Sequence, residues 1–387
     1  MKSNYLHKQA YIILTVYVLS ILYIVFSAFT FRVSFIDEAL CVFLFMYAVL
    51  KCNIIYKKEF IIFTTIVIFY LIYSLIRGIN VPIATIRDFF QFMKPFFCFF
   101  ATYYATINIT RRQKHWLKIT AYVLAVYCYV IFPYINNLYP NTTSYYHACT
   151  FAGILYLFSS EMKTKDYWIF LIILLPGLAS FRSKFLAELI IYAFLLLYVK
   201  KPIKPSLKMV FIVLILGAVA IWANYEKFSM YFITGYDGEV ARTMMYYTSV
   251  EMLKDYFPFG SGFGTFGTDA SGLYYSPIYY KYGLNYIFGC SPDDYGTATS
   301  FFMDTFYPVL LGQFGIAGTI LFIKFWLIRL KEISTVMIEK YKIFMIAFVY
   351  LAIESIASGT FLGAQTVPAM MTLGLCLNIK NKKLCQR

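Results

Sequence analysis

Apolar stretches of membrane-crossing length follow one another along this chain, separated mostly by short polar joints. They cover residues 11–30, 34–50, 60–76, 92–109, 117–135, 147–160, 167–181, 184–199, 209–224, 302–328, 343–357 and 367–379. A helix needs about 20 apolar residues to cross a bilayer, and lipid tolerates only helices or closed barrels. The pattern therefore predicts an all-α polytopic membrane protein of about twelve transmembrane helices, with both ends in the cytoplasm. The runs at 147–160 and 367–379 are the shortest fits and need tilt or help from flanking Tyr and Ser. Three regions result: helices 1–9 in residues 1–224, one large outer loop in 225–300, and helices 10–12 with a tail in 301–387.

Composition agrees with that solvent. The chain is 61% hydrophobic and only 14% charged, with a mean hydropathy of +0.67, whereas about a quarter of a soluble domain is charged. A net charge of +15 would suit nucleic acid if it lay along one face or tail. Here the cations form clusters between apolar runs, as membrane topology requires. Cys41, Cys98, Cys128 and Cys376 lie inside apolar runs and read as small hydrophobes, not as a disulfide or zinc framework. The first run follows Lys2 and Lys8 without a convincing cleavage site and reads as an uncleaved helix.

Charge sets the orientation. With the N-terminus inside, only Arg32, Arg77, Arg87, Lys94, Arg182, Lys184, Lys227, Arg242, Lys254 and Lys281 of the 34 basic residues fall outside, as the positive-inside rule expects. Half of these are arginine, while the inner cations are mostly lysine. A guanidinium grips phosphate oxygens in a bidentate fork that lysine lacks. Arg32 and Arg77 are equally well explained by snorkelling to headgroups. Arg182 lies in a tight hairpin with Ser183 and Lys184, and Arg242 on a predicted helix over 237–256 that Pro258 ends.

Beyond that helix Gly262, Gly264 and Gly267 spell G-x-G-x-x-G, but no βαβ unit surrounds them. A tight turn back to the membrane is the favoured reading, with exposed amides near a phosphate as a second role. Asp88 reads as a balance for Arg87. Asp304 enters an apolar run and is either a general base or the N-cap of the tenth helix. Glu354 is a carboxylate inside the eleventh run, with no evident partner. His7, His115 and His147 show no metal-ligand spacing, and no serine-hydrolase or zinc-protease motif occurs, so no metal or cofactor is expected. No internal repeat is visible, which weighs against a transporter of duplicated halves.

Several strings resemble the bacterial O-antigen polymerases and the related O-antigen ligases. They are Ser180-Phe-Arg182-Ser-Lys184, Ala241-Arg242 before a Tyr-containing helix, Pro258-Phe-Gly-Ser-Gly-Phe-Gly264, and Asp304-Thr-Phe-Tyr307-Pro through Gly315 to Gly318. The resemblance implies a membrane-embedded glycosyltransferase of the C-type architecture in the bacterial inner membrane, acting at its periplasmic face in lipopolysaccharide biosynthesis. Its donor and acceptor would be undecaprenyl-pyrophosphate-linked oligosaccharides, with a chain-length regulator as a candidate partner and no nucleic acid. Arg182 and Arg242 are similar to the family's pyrophosphate-binding arginines, Asp304 would be the catalytic base, and Arg87, Lys184 and Tyr307 would assist binding. The ligases place a histidine near the position of Asp304, which favours polymerase over ligase. A polysaccharide flippase is the rival from another class.

Overall fold

The computed structural model describes residues 2–26, 36–105, 107–134, 142–206, 215, 229, 240–297 and 300–378. Among these the chain is helical, with no strand. In chain order the helices are α1 (Lys2–Phe26), α2 (Ile36–Cys52), α3 (Lys58–Arg77), α4 (Pro82–Tyr104), α5 (Arg111–Ile131), α6 (Thr142–Ser159), α7 (Thr164–Leu174) and α8 (Ser183–Leu197). Then come α9 (Ala241–Asp255), the short α10 (Asp269–Leu273) and α11 (Pro277–Lys281), α12 (Tyr307–Ile333), α13 (Ile338–Glu354) and α14 (Thr366–Leu377).

Eleven of the twelve apolar runs coincide with one of these helices; the ninth, 209–224, lies outside the described residues. Four stretches, Gln9–Phe26, Lys58–Arg77, Arg111–Tyr134 and Tyr307–Ile333, are long and apolar enough to cross a membrane. An α-helical membrane protein fits these facts. The other runs fold as shorter or more charged helices, such as the twelve residues of α14 and the α4 that carries Arg87, Asp88 and Lys94.

Local chemistry sets the helix ends. Gly78 at φ 57° stops α3, and Pro82 opens α4 with the fixed φ a first turn needs. Thr110 and Gln113 form a reciprocal capping box at the start of α5. Pro308 likewise sits in the first turn of α12, which therefore begins at Tyr307 and not near residue 302. That start corrects one reading of Asp304: the N-cap is Phe306, and Asp304 stands in the turn before the helix.

The main core gathers apolar faces from α1 to α8 and α12 to α14, with α14 packed along α4 and α5 along α6. Phe96, Phe99 and Phe100 of α4 meet Phe325 of α12 edge to face, an arrangement that matches ring edge to ring face electrostatically. A second, smaller core lies in the segment 240–302, where Met245 and Met252 of α9 pack with Phe266, Ile278, Tyr279 and Phe302. Ion pairs also lie inside the bundle: Lys94 Nζ of α4 reaches Asp37 of α2 at 2.6 Å and Glu38 at 3.3 Å. Lys94 and Asp37 are buried, where charges are tolerated only in company.

Candidate functional site

The glycine-rich segment after α9 is where the loop joins the bundle. Gly260, Gly262, Gly264 and Gly267 all have positive φ, from 69° to 94°, a region open to glycine without a Cβ penalty. The segment is not exposed. Residues 260–268 are buried, and their amides are taken by protein: Ser261 and Gly262 donate to the Gly312 and Gln313 carbonyls, Phe263 to Ser74 Oγ at 2.8 Å, and Gly264 to Asp88 Oδ2 at 2.6 Å. The expectation of exposed amides near a phosphate is thus overturned, and so is the reading of Asp88 as a mere balance for Arg87. Asp88 is fully enclosed and serves as the acceptor that anchors the loop. Arg87 pairs instead with Asp269 at 2.7 Å, which also accepts from Tyr295; burial is the main reason the Tyr295 hydroxyl is pushed up to about 12.

Helix α12 is shaped to receive this loop. Gly315 departs from helical geometry at φ 60°, ψ −163°, and Ala317 N donates to the Pro258 carbonyl instead of within its own helix. Tyr70 of α3 donates to the Phe314 carbonyl at the same kink. A Cβ on Gly315 would meet the Pro258 carbonyl and the Gly260 amide, so the close approach of two backbones needs glycine there.

Docked this way, the loop sets α9 along α12 and brings Arg242 against Asp304. Arg242 Nη2 lies 2.7 Å from Asp304 Oδ2, with side chains 22% and 31% exposed. The exposure matters because the pair can be reached, and opened, from outside. One turn along α9, Tyr246 donates to the Ile356 carbonyl at 2.8 Å. Burial raises its hydroxyl pKa, neighbouring Tyr307 adds to the rise, and Arg242 opposes it. Tyr307 donates to the Ala352 carbonyl at 2.9 Å, and Phe306 N to the Ser355 carbonyl.

The same stretch, 352–357, is also held by α8. Lys184 Nζ donates to Glu354 Oε2 at 2.7 Å and to the Ala357 carbonyl at 3.3 Å. Glu354 is wholly buried and also accepts from Tyr146 of α6 at 2.9 Å. The buried carboxylate of the eleventh run therefore has a cation after all. Arg182 is the N-cap residue of α8; its side chain is exposed, close enough to His147 to act on it electrostatically, and has no ion-pair partner among the described residues. His147 itself meets Tyr350 at 2.9 Å.

The end of α13 and the residues after it, 352–357, thus receive contacts from Lys184, Tyr246 and Tyr307. Lys184 and Tyr307 contact that stretch directly, Arg242 stands one turn from Tyr246 on α9 and pairs with Asp304, Arg182 is the N-cap of α8, and Arg87 belongs to the Asp269 pair. Residues that did not stand out in the sequence are Tyr146, Tyr246 and Glu188, a fully buried carboxyl that accepts from Tyr192. Glu188 follows Lys184 by four positions on α8, so helical spacing was the available signal. The arrangement offers two half-open cation groups around a turn, suited to a ligand with more than one anionic oxygen. No protein-family model matches the sequence, and no curated protein matches it.

Proposed function

We propose that the protein polymerises undecaprenyl-pyrophosphate-linked oligosaccharide repeat units at the periplasmic face of the bacterial inner membrane. In this reading it is a twelve-span glycosyltransferase of the C-type architecture. The observation that carries the proposal is the reachable Arg242–Asp304 pair, on a helix whose Tyr246 bonds the Ile356 carbonyl while Lys184, two residues from the exposed Arg182, bonds the next carbonyl, that of Ala357. The donor's diphosphate lies between these cations and draws Arg242 away from Asp304. The acceptor hydroxyl then attacks the anomeric carbon, a new glycosidic C–O bond forms, and the bond from that carbon to the diphosphate oxygen breaks. The diphosphate leaves with the electron pair, its growing charge met by the guanidinium groups. The hydroxyl proton goes to the carboxylate of Asp304, freed by the same exchange.

A donor of this kind is already activated, which fits a site built from cations and one carboxylate. The test is reconstitution: purified protein in lipid, given a defined lipid-linked repeat unit, yields a ladder of longer lipid-linked chains. Arg242→Ala and Arg182→Ala lower that yield by about 10²-fold or more, the usual scale for one donor to transition-state charge. Full activity in either variant sinks the assignment.

A second reading, export of the lipid-linked sugar, draws support from the buried Lys94–Asp37 and Lys184–Glu354 pairs, since transporters carry charge inside the bundle. Translocation across proteoliposomes without chain growth would favour it.

A further inference from the structure

Helices α3, α4 and α12 line a partly open apolar groove of about 300 Å³. It is lined by Ile62 and Ile66 of α3, Phe96 and Phe100 of α4, and Leu321 and Phe325 of α12. Its two ends differ. At the loop end it is shut by Tyr70, whose hydroxyl bonds the Phe314 carbonyl at 3.0 Å, and by Phe263 wedged between Phe92 and Phe314. At the other end the lining turns ionic, with Glu59 and Arg329, and Lys324 joins the wall part-way along α12.

That ionic end is not self-neutralised. Arg329 is 3% exposed; its two terminal nitrogens are taken by Glu332 at 2.9 Å and Glu59 at 3.0 Å, and its Nε has no acceptor among the described residues. Lys324 is exposed on the groove wall, about one and a half helical turns from Arg329 toward the middle of α12, and has no ion-pair partner among the described residues, although it interrupts an apolar helix. Lys57, Lys58 and Lys331 stand at the same helix ends, so cations outnumber Glu59 and Glu332.

Length completes the case. Glu59 to Tyr70 spans about 16 Å at the helical rise per residue, close to the roughly 15 Å depth of one leaflet of a hydrocarbon core about 30 Å thick. A groove one leaflet deep, charged at one end and sealed at the other, has the form of a single lipid standing upright. We propose that it holds one acyl chain of an anionic phospholipid from the leaflet at the basic end, its phosphate lying toward Arg329 and met by the Lys324 side chain reaching up from the groove wall. The tail of a lipid-linked sugar would approach from the loop end, where Tyr70, Phe263 and Phe314 close the way.

Native mass spectrometry of the full chain in detergent tests this directly. Phosphatidylglycerol and phosphatidylcholine with identical acyl chains are added in parallel, with a polyprenyl phosphate and inorganic phosphate as further arms. The expected result is one retained phosphatidylglycerol, with phosphatidylcholine held about tenfold more weakly, the scale of one charge-assisted contact. Lys324→Ala reduces phosphatidylglycerol to the phosphatidylcholine level, while Lys200→Ala, an exposed lysine away from the groove, leaves it unchanged. Ile66→Trp fills the groove and displaces the lipid; should that variant not fold, Lys324→Ala carries the test alone. Equal retention of the two lipids overturns the proposal, as does indifference to Lys324→Ala, competition by inorganic phosphate, or polyprenyl phosphate bound in place of the phospholipid.

Discussion

Gly264→Ala probes the anchoring of the glycine-rich loop, and a matched control separates its causes. A Cβ at this position would lie 2.7 Å from the Ala84 carbonyl carbon and oxygen and 2.9 Å from the Thr85 amide, which are backbone atoms of α4 and cannot swing aside. Relief requires the loop to move off α4, and that lengthens the 2.6 Å bond from Gly264 N to Asp88. The positive φ of 73° adds about 1 kcal/mol for any residue with a Cβ, overpacking about 1–3 kcal/mol, and a weakened bond to a buried carboxylate about 1.5 kcal/mol. The total is about 4 kcal/mol. Gly283 has nearly the same φ, 70°, yet nothing lies within 4 Å of its Cβ position, so Gly283→Ala should cost only the conformational part, about 1 kcal/mol. Unfolding of the detergent-solubilised variants by a graded denaturing detergent, followed by circular dichroism, reads the difference. If the two variants unfold alike, the loop is not pressed against α4 as described.

Other expectations follow from individual contacts. Lys94→Met leaves Asp37 buried without its cation and should destabilise by about 3–5 kcal/mol, measured in the same unfolding assay. Lys184→Met should cost less, about 2–3 kcal/mol, because the lysine is 23% exposed; adding Glu354→Gln should restore most of the loss, and an additive double mutant would refute the pairing. Cys290 in the 240–302 segment is buried and its thiol is pushed up to about 12, by burial first and then by Asp294 and Asp304. It should therefore stay protonated and resist alkylation at mildly alkaline pH, reacting only once the chain is unfolded, as mass spectrometry of the labelled peptide would reveal. Arg242→Lys should keep the ion pair with Asp304 and the thermal stability while losing most of the proposed polymer-forming activity, since an ammonium cannot offer two parallel donors to a phosphate.

Much of the helical plan was legible because apolar runs and their punctuation are local signals. Pro82, Gly78 and the Thr110–Gln113 box mark ends that could be read directly, and Pro308 carried the start of α12, though the apolar run beginning earlier hid it. What could not be read was pairing at a distance. The partners of the glycine-rich amides, Ser74, Asp88 and Gln313, are separated from them by 51 to 189 positions, and Lys184 from Glu354 by 170. A sequence displays a buried carboxylate as an anomaly without naming the cation that answers it. The arginines behaved in the same way: Arg242 meeting Asp304 and Arg87 meeting Asp269 depended on how the loop docks.

The kink at Gly315 bears on the order in which the protein can be made. Residues 258–264 are translated before α12, yet several of their hydrogen-bond partners are supplied by Gly312 and Gln313, and the loop returns the favour at Ala317. A nascent chain released before α12 has inserted must therefore leave this segment open to water and to proteases. Closure becomes a late checkpoint of biogenesis, and resistance of the buried Gly260–Thr268 stretch to cleavage would report, in living cells, that the whole bundle has assembled.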